Sequence, residues 1–477
     1  MTPILSRDAA GDALSRDQHA LAAHDNTRPV LLEGAVVLSM DPSIGDLERG
    51  DVLIRDGHIA AVGTGLSNDP RAHDAIVLDC SRLILLPGFQ DTHRHAWQNQ
   101  LRRFLPDVDQ DGYLTRMHAR LAHHYQPEDM YAGNMVSALG ALDAGITTML
   151  DFSHNARTAE HSDAAIDALA DTGIRAVHAS AAPFNGMWDK QWPDDLVRLA
   201  DRLPTSGLIT LRMGLLPKVK PIIPDILAMS EGNVRLAREM GIAVSVDGVF
   251  GAHAAREICS LHTAGLLGPD IALIHCTDLN DDAWRAIVDS GAQVSLCPTS
   301  DAQVGIESGV SPIQTCLDLG LSASLSVDVE VCLAPDMFSQ MRALLTIQRM
   351  NVFTRRTAGD PEAPALLTDR QVLEFATIGG ARANGLEAST GSLTPGKAAD
   401  IIGIRTDDVN VFPLNNAVGT VVQGADSRNI ECVFVAGRPV KWQREVVSYD
   451  LGRARRIAEE SRDRLFRAAG ITPDVLA

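Results

Sequence analysis

Residues 84–103 read ILLPGFQDTHRHAWQNQLRR. An apolar run closes at Pro87-Gly88, and His93 and His95 follow with one residue between them. In a strand, residues i and i+2 point to the same face. Both imidazoles are therefore predicted to enter one space just past the strand's end. Paired neutral imidazoles suit a divalent cation, so other strands must end at the same space and bring the remaining ligands.

The middle of the chain offers such strands. Apolar runs stand at 83–89 (LILLPGF), 145–152 (GITTMLDF), 173–180 (GIRAVHAS), 208–216 (LITLRMGLL), 242–250 (IAVSVDGVF), 271–278 (IALIHCTD), 292–298 (AQVSLCP) and 321–328 (LSASLSVD). Helical patterns such as PEDMYAGNMVSALGALDAG (127–145) and DDAWRAIVDSG (281–291) separate them, and glycine closes each helix as a C-terminal cap should. Eight strands alternating with helices predict an α/β chain closed into a (β/α)8 TIM barrel. An open doubly wound sheet is the alternative, but no G-x-G-x-x-G follows the first strand to support nucleotide binding.

Short strands flank this region on both sides. VLLEGAVVLSM (30–40) and GDVLIRDGHIAAVG (50–63) precede it, the latter with Asp56-Gly57 as a hairpin signal. AADIIGIR (398–405) and IECVFVAGRPVKW (430–442) follow it, with Gly437-Arg438-Pro439 read as a turn. Pairing the two flanks in one small β-domain is the simplest way to bury both. The predicted organisation is an N-terminal arm (1–29), the first part of the β-domain (30–86), the barrel (87–385), the second part of the β-domain (386–445) and a C-terminal helix (446–477).

Composition narrows the function classes. The chain has 477 residues, 45% hydrophobic and 22% charged, as a soluble globular protein of one large and one small domain would. A net charge of −19 argues against nucleic acid and anionic membrane as partners. No stretch approaches the roughly 20 apolar residues of a membrane span, and the first residues lack a secretory signal's basic start and apolar core. Seven cysteines without a C-x-x-C pair predict a reducing cytoplasm and no thiolate zinc site.

In barrels of this kind the chemistry gathers at the C-terminal ends of the strands. Polar residues there are Asp91, His93 and His95 from the first strand, then Asp151 and His154, His178, Lys218, Asp247, His275 and, from the eighth, Asp328. Imidazoles and a carboxylate bind a divalent ion and leave a position for water. The ion lowers the water's pKa towards roughly 7. Asp328 is the candidate to take and pass on that proton, and His275 to orient the water. The absence of a Gly-x-Ser-x-Gly elbow disfavours a serine mechanism.

These residues resemble the amidohydrolase superfamily, in its cytosine/guanine deaminase and triazine hydrolase-like branch. LLPGFQDTHRHAWQNQLR is similar to the family's first-strand metal motif. IALIHCTDLNDDAWRAIVDSGAQVSLCPTS is similar to its sixth and seventh strands, and SLSVDVEVCLAPDMFSQMR to its eighth. The resemblance implies a distorted barrel with a composite β-sandwich, and water-dependent cleavage of a C–N bond in a small organic molecule. Amides, ureas, carbamates and amino-heterocycles are the substrate classes implied. It implies His93, His95 and Asp328 as metal ligands, Asp328 also as base, His275 beside the reactive water, and Trp97 and Gln98 at the substrate. One divalent ion is expected, zinc first, with iron, manganese and cobalt as alternatives. A homodimer is expected too, the commonest symmetric assembly.

The fifth strand departs from the family pattern. Asp247 stands where a third metal-binding histidine is usual, and Phe250 where a proton-shuttling glutamate is usual. Either Asp247 coordinates the ion, which a carboxylate can do at a similar distance, or the ligand set is weakened and His253, His154 or His178 substitutes. Phe250 ranks nucleobase deamination below amide, urea, carbamate or substituted-ring hydrolysis, and it opens a metal-assisted lyase, decarboxylase or isomerase as an alternative. His154 and Lys218 are expected to contact substrate. Lys218 follows Pro217, beyond the strand, which disfavours a carboxylated lysine bridging two metals.

Overall fold

The computed structural model describes residues 28–184, 194–204, 207–217 and 228–475. Lys218 and nearly all of the expected N-terminal arm lie outside them. Eight parallel strands lie side by side in chain order: Phe89–Arg94, Ile146–Ser153, Arg175–Ser180, Ile209–Leu215, Ala243–Phe250, Ile271–Thr277, Gln293–Leu296 and Ser324–Leu325. The first and last meet through two backbone hydrogen bonds. Asp328 N–H donates to His93 O at 3.0 Å, and His95 N–H donates to Asp328 O at 3.1 Å. That contact closes the ring, so the arrangement is a barrel and not an open sheet.

The flanking strands form one nine-stranded sheet. Its two halves meet where Leu83–Pro87 runs antiparallel to Ile401–Arg405, with Pro87 opposite Ile401 and Leu83 opposite Arg405. Val52, Ile54, Leu85, Ile401 and Phe434 share its apolar core. Asp56 and Gly57 both have positive φ (51° and 77°), the twist a two-residue hairpin needs between Asp46–Arg55 and His58–Gly63. The second hairpin differs from its sequence reading. Ala436 and Gly437 make the turn, and Arg438 and Pro439 already belong to the strand Arg438–Trp442.

The opening apolar run also divides differently. Residues 83–89 read as one barrel strand, yet Leu83–Pro87 belongs to the small sheet and the barrel begins at Phe89. Gly88 is the crossing point. Its N–H donates to Asp400 O at 3.0 Å, and a Cβ there would lie 2.1 Å from Thr147 Oγ1. Only a residue without a side chain lets the two sheets share this strand boundary. Arg175 ties the same junction from the next barrel strands, gripping Asp400 through Nε at 2.6 Å and Nη2 at 3.1 Å.

The helix Pro127–Asp143 backs the turn that carries His95 and Trp97. Its Gly133 is so close that a Cβ would fall 2.2 Å from the Trp97 carbonyl oxygen. The C-terminal helix Leu451–Ala468 packs outside it, with Ser461 Oγ donating to Asp129 Oδ1 at 2.6 Å. Gly133→Ala is therefore expected to displace the 95–97 turn. Overpacking of this kind costs about 1–3 kcal/mol, to be seen as a lowered unfolding midpoint together with reduced metal retention.

Candidate active site

Four strands deliver five ionisable side chains to one point at the C-terminal mouth of the barrel. His93 ends the first strand and His95 follows it, their rings 4.6 Å apart. Asp247 comes from the fifth strand, His275 from the sixth, and Asp328 from the turn after the eighth. His275 and Asp328 adopt left-handed backbone (φ 74° and 68°), a conformation uncommon outside glycine that recurs at functional sites. All five are buried.

The distances suit a cation at either of two overlapping triads, His93–His95–Asp328 and His93–Asp247–His275. Asp328 Oδ1 lies 3.3 Å from His93 Nε2 and 3.2 Å from His95 Nε2. Asp247 Oδ1 lies 3.5 Å from His93 Nε2 and 3.4 Å from His275 Nε2, and its Oδ2 lies 3.5 Å from His95 Nε2. Ligands held about 2.0–2.2 Å from a tetrahedral zinc stand roughly 3.3–3.5 Å from one another. His93 Nε2 faces both carboxylates, as a ligand imidazole would, and its Nδ1 is buried without a hydrogen bond among the described residues. The structure places Asp247 within this cluster, beside His93, His95 and His275. His178 stands elsewhere, its Nδ1 3.1 Å from Asp151 Oδ2 in the barrel interior, and His253 lies on the helix Gly251–Thr263, paired with Glu257.

Neighbouring side chains orient the cluster. Asp301 Oδ1 lies 2.8 Å from His275 Nδ1 and so aims Nε2 at Asp247, the carboxylate–histidine arrangement that fixes a metal site's tautomers. Ser300 Oγ donates to Asp328 Oδ2. Burial pushes the Asp247 and Asp328 carboxyls up, but the adjoining imidazoles outweigh it and hold both below the usual carboxylate range. Burial likewise lowers His95 and His275. Against it, Asp328 and Asp247 raise His95, while Cys297, Asp247 and Asp301 raise His275, so both bind protons more tightly than a free imidazole.

A cavity of about 280 Å³ opens over the cluster, with Leu114, Phe184, Leu216, Phe250, Val304 and Ile306 on its apolar walls. Tyr113, His118 and His154 also face it. Burial holds His118 down at about 3 and His154 well below its ordinary value, so both are neutral. Trp97 and Gln98 do not line this cavity. Each supports a residue that does: Trp97 Nε1–H donates to His154 Nδ1 at 3.3 Å, and Gln98 Nε2–H donates to Tyr113 Oη at 2.7 Å. A larger cleft of about 830 Å³ lies between the small sheet and the opposite end of the barrel, lined by Arg175 and Arg438 and by none of the cluster.

Sequence reasoning missed Tyr113, His118, Ser300 and Asp301. The last two follow the seventh strand directly in LCPTSD, so extending the strand-end search to that strand would have found them. Tyr113 and His118 sit on the excursion between the first strand and its helix, where no periodicity marks them.

Comparison with known proteins gives this arrangement relatives. Residues 84–440 match the Amidohydrolase family. A 5-methylthioadenosine/S-adenosylhomocysteine deaminase of Syntrophomonas wolfei is 25% identical over 448 residues, covering 90% of this chain and 99% of that one. The structure resembles a zinc-bound adenosine deaminase from Xanthomonas campestris, with TM-score 0.78, 21% identity, and 92% and 98% of the two chains covered. It also resembles zinc-bound atrazine chlorohydrolase from Arthrobacter aurescens, with TM-score 0.77, 21% identity, and 91% and 100% covered.

The raised proton affinities carry a sign. In metal-stripped protein His95 holds its proton at a pH where a free imidazole begins to lose it, and a cation needs its lone pair. Metal uptake at neutral pH is expected to release protons, and affinity to strengthen as pH rises. Calorimetric titration in buffers of different ionisation enthalpy measures both; uptake without proton release contradicts the assignment.

Proposed function

Because this chain belongs to the amidohydrolase family, we propose that its cluster hydrolyses the exocyclic C–N bond of a small amino-heterocycle. The chain is a metal-dependent hydrolase of non-peptide C–N bonds. The observation that carries the finer reading is the convergence of two Nε2 atoms on one oxygen of Asp328, with Asp247 across from them. His93, His95, Asp247 and Asp328 would hold the ion, zinc being the first choice for imidazole and carboxylate donors. When bound, a divalent cation supplies Lewis acidity and makes hydroxide available near neutral pH.

The protein's own groups do the rest. Asp328 takes the water's proton at Oδ2, the oxygen held by Ser300 and turned from the imidazoles. It then delivers that proton to the departing amine. His275, fixed through Nδ1 by Asp301, keeps Nε2 towards the attacking water. The apolar walls exclude bulk water and strengthen each of these interactions. Phe250 on the wall had ranked ring deamination low, but deaminases among the relatives support the amino-heterocycle over a simple amide or urea. Among the described residues no helix is long and apolar enough to cross a membrane. A cytoplasmic homodimer fits this reading, with five of the seven cysteines buried as core filler.

The test is ammonia release from aminopyrimidines, aminotriazines and adenine nucleosides by zinc-, iron- or manganese-loaded protein. Turnover in ¹⁸O-water must place the label at the carbon that lost nitrogen; unlabelled product would indicate lyase or isomerase chemistry instead. Asp328→Asn is expected to cut kcat by about 10²–10⁴-fold, the usual range for a lost acid–base group. Asp247→Ala should lower bound metal in the purified protein, measured by elemental analysis.

A further inference from the structure

The geometry points to His154 as a specificity-determining donor. Its Nε2–H is presented to a lone pair on an uncharged, largely apolar substrate. This rests on the hydrolase reading only for what occupies the cavity. The hydrogen-bond pattern sets the tautomer. Trp97 Nε1–H approaches His154 Nδ1 at 3.3 Å, and an indole N–H can only donate. Nδ1 must therefore accept, which leaves the neutral ring's proton on Nε2. The Phe152 carbonyl also lies 3.1 Å from Nδ1, but it keeps the backbone N–H of His154 at 3.0 Å in either tautomer, whereas a proton on Nδ1 would take the acceptor away from the buried Trp97 N–H.

Among the described residues Nε2 then has no acceptor. His154 is 1% exposed, and Nε2 is buried without a hydrogen bond. The other buried polar groups around the cavity are engaged. Tyr113 Oη receives the Gln98 amide and lies 3.1 Å from His118 Nε2, Ser300 donates to Asp328, and the cluster residues face one another. A buried donor without a partner is costly, and a ligand acceptor beside it removes the cost. Phe184 packs edge-on to the imidazole with centroids 5.3 Å apart, and Leu216, Phe250 and Ile306 add apolar surface. A carbonyl oxygen or a pyridine-type ring nitrogen in a flat, neutral molecule meets both demands. A cation or a donor-only group would face an N–H.

The test uses full-length, zinc-loaded protein labelled with ¹⁵N-histidine. Long-range proton–nitrogen correlation should show Nδ1 bare and the proton on Nε2 for His154, assigned by its loss in His154→Phe. A proton on Nδ1 overturns the proposal. Trp97→Phe removes the indole donor and should mix the two tautomers; an unchanged spectrum denies Trp97 its positioning role and overturns the argument. Acetophenone, a neutral acceptor, should bind about tenfold more weakly to His154→Phe, the value of one net hydrogen bond. Ethylbenzene, which lacks the acceptor, should bind both proteins alike, and equal losses for the two probes overturn the proposal. None of these readouts needs turnover. A protein that passes them and cleaves no C–N bond refutes the proposed function alone.

Discussion

Two backbone hydrogen bonds between Asp328 and the histidine pair hold this molecule's chemistry and its architecture together. They close the barrel, and they also set the residues whose side chains converge at its mouth. Behind them runs a buried charge network. Asp91 Oδ1 accepts the N–H of Val327 at 3.1 Å, while its Oδ2 receives Arg94 Nε at 2.7 Å. Arg94 in turn meets Glu330, which also binds Arg102 at 2.6 Å. Arg94, Asp91 and Glu330 are all fully buried. Removing one partner from such a set leaves an uncompensated charge, at a cost of about 3–5 kcal/mol. The network therefore ties the strand-one and strand-eight loops to each other beneath the cluster.

The cavity above is sharply divided. Its floor is a concentration of imidazole and carboxylate, while its walls are apolar and its histidines on the second-strand side are neutral. The division is physically coherent. A cation would compensate the floor's carboxylates, and apolar walls limit competing water. Asp247 makes the floor more anionic than three histidines would, which suits a hard divalent ion. Phe250 keeps the fifth-strand wall apolar, so polar recognition falls to the side that carries Tyr113, His118 and His154.

Positioning is layered. Asp301 sits behind His275, Trp97 behind His154, Gln98 behind Tyr113. In each pair the inner residue is reached only through the outer one. Substitution of the inner member then acts on geometry or tautomer before it acts on contact, as outer-shell partners of metal sites do.

Much of this was present in the chain as pattern. The alternation of apolar runs with capped helices specified a parallel α/β sheet, because a parallel strand buried on both faces must be apolar throughout. The i, i+2 histidines and the strand-end carboxylates specified where ligands gather, because strand periodicity is local. The family resemblance carried the reaction class, and the fifth-strand reading picked out Asp247, which the fold brings beside His93, His95 and His275. Other features were decided only in three dimensions. The split of residues 83–89 between two sheets depends on the approach of Thr147 to Gly88. The left-handed backbone of His275 and Asp328 has no signal in the residues around them. The withdrawal of Trp97 behind His154 joins residues 57 apart in the chain. Periodicity reports which face a residue occupies; partners brought together by closure leave no mark in the sequence around them.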